Sequence, residues 1–376
     1  MKIPLLLPVV PDREALWPYL GRIDQARHYS NFGPLVRELE SRLAQRFKSH
    51  TALDMHVATV SSATLGIELA LATLDLPPGS AILVPALTFV ATLTAVIRAG
   101  HTPVVADIDL ESWLLTPGIV EAAIRETGAK AALVVATFSQ AQDSKAWGEF
   151  QQKTGVRIVI DAAGAFGNQW VDAGDIPVVF SMHATKSLTA GEGGFVVCAN
   201  QATTDLVREM SNFGINLDVK KSLPVGYLSS AGTNAKLSEF NAAVALASLD
   251  AWDKWADVRD TLYTRYRERL ESACGSSLTW QKGLSTSPMT FSVRVGSNER
   301  RNRLETICAE AGIATRRWYQ PLLHQHAAKV GPIISMATPT ANKIAADLIG
   351  LPFFAMMSEE QMAVVVDAVK RVVSSV

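Results

Sequence analysis

The chain has 376 residues, 48% of them hydrophobic and 19% charged, with 35 basic against 36 acidic side chains and a net charge of −1. That composition excludes a disordered or fibrous chain, and the charge balance offers no generic surface for nucleic acid. The length exceeds what one compact hydrophobic core usually holds, so two lobes are expected.

The N-terminal run Met1-Lys2-Ile3-Pro4-Leu5-Leu6-Leu7-Pro8 is apolar but too short and too proline-broken for a signal h-region. No apolar stretch approaches the roughly 18 residues of a membrane span. A cytoplasmic protein with no membrane partner is expected. Residues 12–50 read as helical. Leu35, Leu39, Leu43 and Phe47 recur at a spacing of four on a helix that starts after Gly33-Pro34. From residue 53 onward, short β-rich runs alternate with alanine-rich helical ones. The expected strands are 56–60, 81–85, 103–107, 131–135 and 156–161, and the expected helices are 65–74, 89–99, 117–125 and 145–153. Continuous apolar strands alternating with helices predict a mostly parallel sheet flanked by helices on both faces, with ligands beyond the carboxyl ends of the strands. Beyond residue 200 the chain is expected to turn helical, with one long helix over 235–270. Strands near 289–295 and helices near 300–311, 338–348 and 358–373 follow. The predicted organisation is a large domain over 1–250 and a smaller α+β domain over 251–376. Cys198, Cys274 and Cys308 are far apart and odd in number, which gives neither a disulfide framework nor metal-ligand spacing. A reducing compartment and no metal are expected.

The informative stretch is Val179 to Gly194. It opens as a strand end, reaches Lys186 among small and hydroxylated residues, and closes on Gly191-Glu192-Gly193-Gly194 before a second strand, 195–198. Between Asp175 and Glu192, Lys186 is the one side chain with a permanent charge, so it reads as a desolvated amine able to attack carbonyl carbon. Asp161 ends a strand and is followed by small residues. There it can hold a protonated heterocyclic nitrogen, or serve as a helix cap or ion-pair partner. Ser62-Ala63-Thr64-Leu65-Gly66 lies between a strand and a helix, where free N–H groups and hydroxyls suit a phosphate; an ordinary N-cap by Ser62 or Thr64 is the alternative. Ser181 and Thr185 can reach an anion. Phe89 can stack on a planar ring or belong to the core, and His183 can line the cleft or pack. An amine, a carboxylate, a phosphate cradle and an aromatic lid are the parts that pyridoxal phosphate requires.

These motifs occur in a familiar order. Ser62-Ala63-Thr64, Val84 to Thr92, Asp107-Ile108-Asp109, Asp161-Ala162-Ala163, Ser181 to Lys186 with Gly191 to Gly194, and Gly232 to Glu239 together resemble the DegT/DnrJ/EryC1/StrS aminotransferases. The resemblance covers the chain from about Gly33 onward. It implies a fold-type-I, pyridoxal-phosphate-dependent transferase acting on keto sugars, mostly nucleotide-linked, with an amino-acid donor such as L-glutamate and a ping-pong cycle. By resemblance, Lys186 is the Schiff-base lysine and Asp161 pairs with the ring nitrogen. Phe89 stacks on the ring, and Thr64, the Leu65 N–H and Ser181 bind the phosphate, with Ser62, Ala63, Gly164 and His183 around the cofactor. Asn234 matches an asparagine that reaches the partner's phosphate, which implies a homodimer. Relatives that dehydrate carry histidine at the lysine position, so Lys186 favours transamination.

The chain also departs from the family. Gly164 stands where glutamine is usual, Phe166 where histidine is frequent, Ala235 and Lys236 where tyrosine and arginine are common, and the Tyr319 to His324 ending is altered. The cofactor set is thus largely kept and the substrate set changed. A non-sugar ketone, another reaction of the same cofactor, and a non-catalytic binding or regulatory role are the alternatives to amine transfer onto a sugar.

Overall fold

The computed structural model describes residues 2–326 and 330–373. Two helices come first, α1 (Arg13–Ala26), capped by the Asp12 carboxylate on the Ala15 N–H, and α2 (Pro34–Lys48). Leu35, Leu39, Leu43 and Phe47 are all buried along α2, as the spacing of four requires of a helix laid on a core. There follow in alternation β1 (His56–Val60), α3 (Ala63–Ala72), β2 (Ala81–Pro85), α4 (Val90–Arg98), β3 (Thr102–Ala106), α5 (Pro117–Thr127), β4 (Ala131–Val135), α6 (Ser144–Thr154) and β5 (Arg157–Asp161). β6 (Val178–Ser181) and β7 (Gly194–Cys198) form an antiparallel pair whose connection carries Lys186, and α7 (Gln201–Ser211) follows. The rest of the chain supplies α8 (Glu239–Asp250), α9 (Trp252–Cys274), β8 (Phe291–Arg294), α10 (Asn298–Glu310), β9 (Ile334–Ser335), α11 (Pro339–Asp347), β10 (Leu348–Leu351) and α12 (Glu359–Val373).

One sheet orders its strands β1-β7-β6-β5-β4-β2-β3-β9. From β6 through β9 every pairing is parallel, and β7 runs antiparallel to both β1 and β6. Connection order reverses between β4 and β2, so the crevice beyond their carboxyl ends is where such a sheet binds ligands. Asp161 ends β5, the next strand along, and Ser181 ends β6. Apolar cores cover both faces of the sheet. One includes Leu39, Trp147 and Phe180, and the other Ile67, Leu93 and Val105. A third core, built around Tyr266, Phe291 and Val365, gathers residues from the C-terminal part of the chain and also takes in Ile3. Among the described residues, no helix is long and apolar enough to cross a membrane.

The expected single helix over 235–270 is two helices, broken at Ala251, whose φ of −94° and ψ of 5° leave the helical region. The first of them begins at Glu239 because the Ser238 hydroxyl accepts from the Asn241 N–H at 3.1 Å, which ends the extended segment before it. β9 and β10, two and four residues long, are too short for periodicity to announce. β9 nevertheless adds an edge to the large sheet, drawing the C-terminal part of the chain back onto the N-terminal part.

Candidate active site

Asp161 is 5% exposed at the end of β5. Its carboxylate accepts from Thr92 Oγ1 on α4 at 2.9 Å and from the Ala163 N–H at 3.0 Å. Burial pushes its pKa up, while those two hydrogen bonds and the Lys186 charge pull it back. Lys186 is the mirror case: burial pushes its pKa down from 10.5 and the Asp161 charge holds it up. Each group is thus the other's charge partner in one poorly hydrated space.

The turn holding Lys186 is laced by its own backbone. Lys186 N–H donates to the His183 carbonyl at 2.9 Å, Ala184 N–H to Gly191 at 2.8 Å, and Ala190 N–H to Met182 at 2.7 Å. His183 is spent on the same turn. Its Nδ1 lies 2.9 Å from Thr185 Oγ1 and accepts the Thr185 N–H at 3.2 Å, while Nε2 lies 3.6 Å from Glu192. The Ser181 hydroxyl accepts from the His183 N–H at 3.2 Å.

α3 starts at Ala63, two residues earlier than periodicity suggested. Ser62 rather than Thr64 is its N-cap, accepting from the Leu65 N–H at 3.3 Å. The Ala63 and Thr64 N–H groups have no acceptor among the described residues, which leaves the anion-binding end of a helix open. Gly194 brings that end close to the sheet, since a Cβ there would lie 2.7 Å from the Ala63 nitrogen and 2.8 Å from the Phe180 oxygen.

Phe89 stands at the start of α4, 55% exposed, with its ring centroid 6.0 Å from Tyr319. Tyr319 lies flat against Phe138 at 5.3 Å and 2°. Burial and the nearby Asp161 carboxylate both drive its pKa upward. Thr92 and Tyr319 occur in the sequence only inside longer motifs, Val84 to Thr92 and the altered Tyr319 to His324 ending, and neither is assigned a place beside Asp161 by sequence alone. The signal for Thr92 was its position one helical turn after Phe89. Tyr319 lies 80 positions beyond the last of the other motifs, which ends at Glu239, and reaches the site only through the fold.

Gly164 offers no side chain. Its carbonyl accepts from Ser139 Oγ at 2.5 Å, and a Cβ there would touch Met289 at 3.5 Å. Phe166 is 7% exposed, with its ring edge-on to Trp252 at 4.5 Å. Asn234 lies exposed on the segment before α8, its Oδ1 accepting from Lys236 Nζ at 2.7 Å. That segment still borders the phosphate-like cradle, because Ser61 N–H donates to the Ala235 carbonyl at 2.7 Å. The structure therefore brings Lys186, Asp161 and the Phe89–Tyr319 wall to one edge of the sheet, with the α3 start beside them, and leaves Asn234 facing outward.

The donor set fits pyridoxal phosphate. A buried carboxylate faces an amine of lowered basicity, and open helix N–H groups lie near a free threonine hydroxyl. Comparisons with known proteins agree. The model of the DegT/DnrJ/EryC1/StrS aminotransferase family matches residues 12–370. A dTDP-4-amino-4,6-dideoxy-D-glucose transaminase of Shigella dysenteriae is 27% identical over 376 residues, covering 97% of this chain and 97% of its own. A pleiotropic regulatory protein of Geobacillus stearothermophilus is 28% identical over 383 residues, 98% of each chain. Among solved structures, DesI in the presence of its TDP-sugar product superposes with a TM-score of 0.85 at 28% identity, covering 99% of this chain and 93% of that one. DesV of S. venezuelae, in complex with a ketimine intermediate, gives 0.83 at 27% identity over 100% and 99%.

Proposed function

We propose a reaction from the premise that the chain belongs to the DegT/DnrJ/EryC1/StrS aminotransferase family: amine transfer from L-glutamate to a nucleotide-linked keto sugar, in two half-reactions at one site. The protein is a pyridoxal-phosphate-dependent aminotransferase. Donor, acceptor and ping-pong order are our reading. The sugar relatives support the acceptor class, and the Lys186–Asp161 pair carries the chemistry.

Lys186 Nζ would hold the cofactor covalently, Asp161 its ring nitrogen and Phe89 its ring face. Thr64, Ser181 and the N–H groups of Ala63 and Leu65 would take its phosphate. When bound, the cofactor supplies the electron sink for cleavage at the amino carbon. Every other task falls to the chain. Burial keeps Lys186 Nζ closer to its neutral form, so the released amine can take a proton from the donor carbon and return it to the acceptor. Thr92 and the Ala163 N–H fix the Asp161 carboxylate and favour its charged form against the desolvation that disfavours it. Tyr319 and Phe89 wall the same space, with Phe89 at its open side.

A homodimer belongs to the same proposal. Leu217, Val219, Tyr227 and Leu228 are 56%, 83%, 62% and 68% exposed on the segment that leads to Asn234. An apolar stretch so exposed suits burial against a second copy.

The test is the absorption spectrum of the purified protein with pyridoxal phosphate, before and after L-glutamate. A visible band that glutamate converts to the pyridoxamine form is expected, and Lys186→Ala should lose that conversion by at least about a thousandfold in rate. A band indifferent to glutamate would overturn the donor assignment. Conversion that survives Lys186→Ala would overturn the role of the lysine.

A further inference from the structure

Two open cavities, of about 240 Å³ and about 190 Å³, share Ser187, Trp252 and Arg259 in their walls. They adjoin the turn that carries Lys186, yet none of the residues assigned to the cofactor lines them. The Trp252 indole is 5% exposed, and two guanidiniums lie over it, Arg46 at 5.3 Å and Arg259 at 4.9 Å from the ring centroid.

Neither guanidinium makes a hydrogen bond within 3.5 Å among the described residues, and Arg46 is held only by a long ion pair to Asp253. Arg46 Nε is buried without a hydrogen-bond partner. Its nearest carboxylate, Asp253, is 3.6 Å away on a side chain that is 90% exposed. Arg259 has neither hydrogen bond nor ion pair among the described residues; burial pushes its pKa down and the charge of Asp260 holds it up. Asp260 is itself committed, accepting from the Ser287 N–H at 2.8 Å. Stacking on an indole leaves the in-plane N–H groups of a guanidinium available, and a carboxylate is the ligand whose two oxygens match that fork. Asp253 and Asp257 stand exposed at the rim, where water screens their repulsion and where an ammonium group would find partners.

We propose that this cavity is a second ligand site, which takes the carboxylate of a small amino acid or 2-oxoacid on Arg259 and Arg46. The rim acids favour the amino acid. The site is separate from the one that holds the cofactor and does not depend on which acceptor the enzyme uses. A carboxylate held there sits beside Ser187, one residue from Lys186, so supply of the amine donor or its 2-oxoacid is registered next to the reacting amine without occupying it.

Succinate carries carboxylates and no reacting group, which makes it the probe. It is titrated calorimetrically into the wild-type enzyme saturated with pyridoxal phosphate, and into Arg259→Gln and Arg46→Gln. One saturable site is expected in the wild type. Binding should weaken about ten- to a hundredfold in Arg259→Gln at an unchanged melting temperature, and by a similar amount in Arg46→Gln, which carries the test if the first variant does not fold. Arg259→Lys, which keeps the charge and loses the fork, should fall between. Displacement of succinate from Lys186→Ala by L-alanine and by pyruvate separates the two sources, the tighter competitor being the ligand class. Unchanged succinate binding in the folded arginine variants, or no saturable binding to the wild type, overturns the proposal.

Discussion

Two side chains of opposite sign and shifted basicity define the residue scale. Lys186 binds its proton less readily in the folded protein than in an unfolded chain, where 10.5 applies. Folding without cofactor is therefore penalised below the folded-state pKa, and the penalty fades as pH rises toward 10.5, because the unfolded chain then binds more protons than the fold does. Lys186→Met removes this penalty. The melting temperature of the cofactor-free variant should exceed that of the wild type most at neutral pH, with a gap that closes in alkaline buffer; a gap that widens there would contradict the lowered pKa. Asp161 and Lys186 were legible in the sequence because each ends or follows a strand among small residues. Thr92 was not, since a threonine in a helix announces nothing until α4 brings it to 2.9 Å from Asp161. Tyr319 was legible only as the start of an altered ending, and its place near Asp161 comes from the fold.

At the scale of elements, the fit between α3 and the sheet depends on a missing methyl group. In Gly194→Ala the new Cβ would lie 2.9 Å from Ala63 Cα as well as against its nitrogen, with the Phe180 carbonyl on the other side. Backbone rather than flexible side chain must yield, so a loss of about 1–3 kcal/mol is expected in denaturant unfolding, together with weaker cofactor retention. A second joint is Glu239. It is 1% exposed at the start of α8, and its carboxylate accepts from the Leu35 and Val36 N–H groups of α2 at 2.8 and 2.9 Å. Glu239→Gln keeps one acceptor and turns the other into a donor facing an N–H, so about 1–3 kcal/mol should be lost, read as a lower denaturant midpoint at constant slope. The alternation of β1 through β5 with their helices was readable because whole apolar runs are buried on both faces of a sheet. The break at Ala251 was not, as alanine favours the helix on either side of it and tertiary packing decides where the axis turns.

For the whole molecule, the exposed apolar segment before α8 makes the oligomeric state a measurable property. Leu217→Asp, placed on a residue that is 56% exposed in the single chain, should leave the fold intact. If the segment is an interface, the same change should shift sedimentation from dimer to monomer and lower transamination at least about tenfold. A dimer that tolerates it would place the interface elsewhere. Two lobes were expected from length and composition, but the interlacing of the two ends of the chain was not. Ile3 N–H donates to the Gly312 carbonyl at 2.9 Å, and Phe353 N–H to the Leu5 carbonyl at 2.9 Å, so the stretch preceding α1 is pinned to the C-terminal lobe. In the opposite sense, β9 edges the large sheet beside β3, and the Asp107 carboxylate after β3 caps α11 through the Thr340 and Ala341 N–H groups at 2.9 and 2.8 Å. Each lobe thus borrows backbone from the far end of the chain. Recombination between relatives with a single crossover near residue 250 would pair each parent's borrowed strand with a foreign host. A chimera that exchanges substrate preference needs its junctions placed so that residues 3–5 travel with the small lobe, and β9 with α11 stay with the large one.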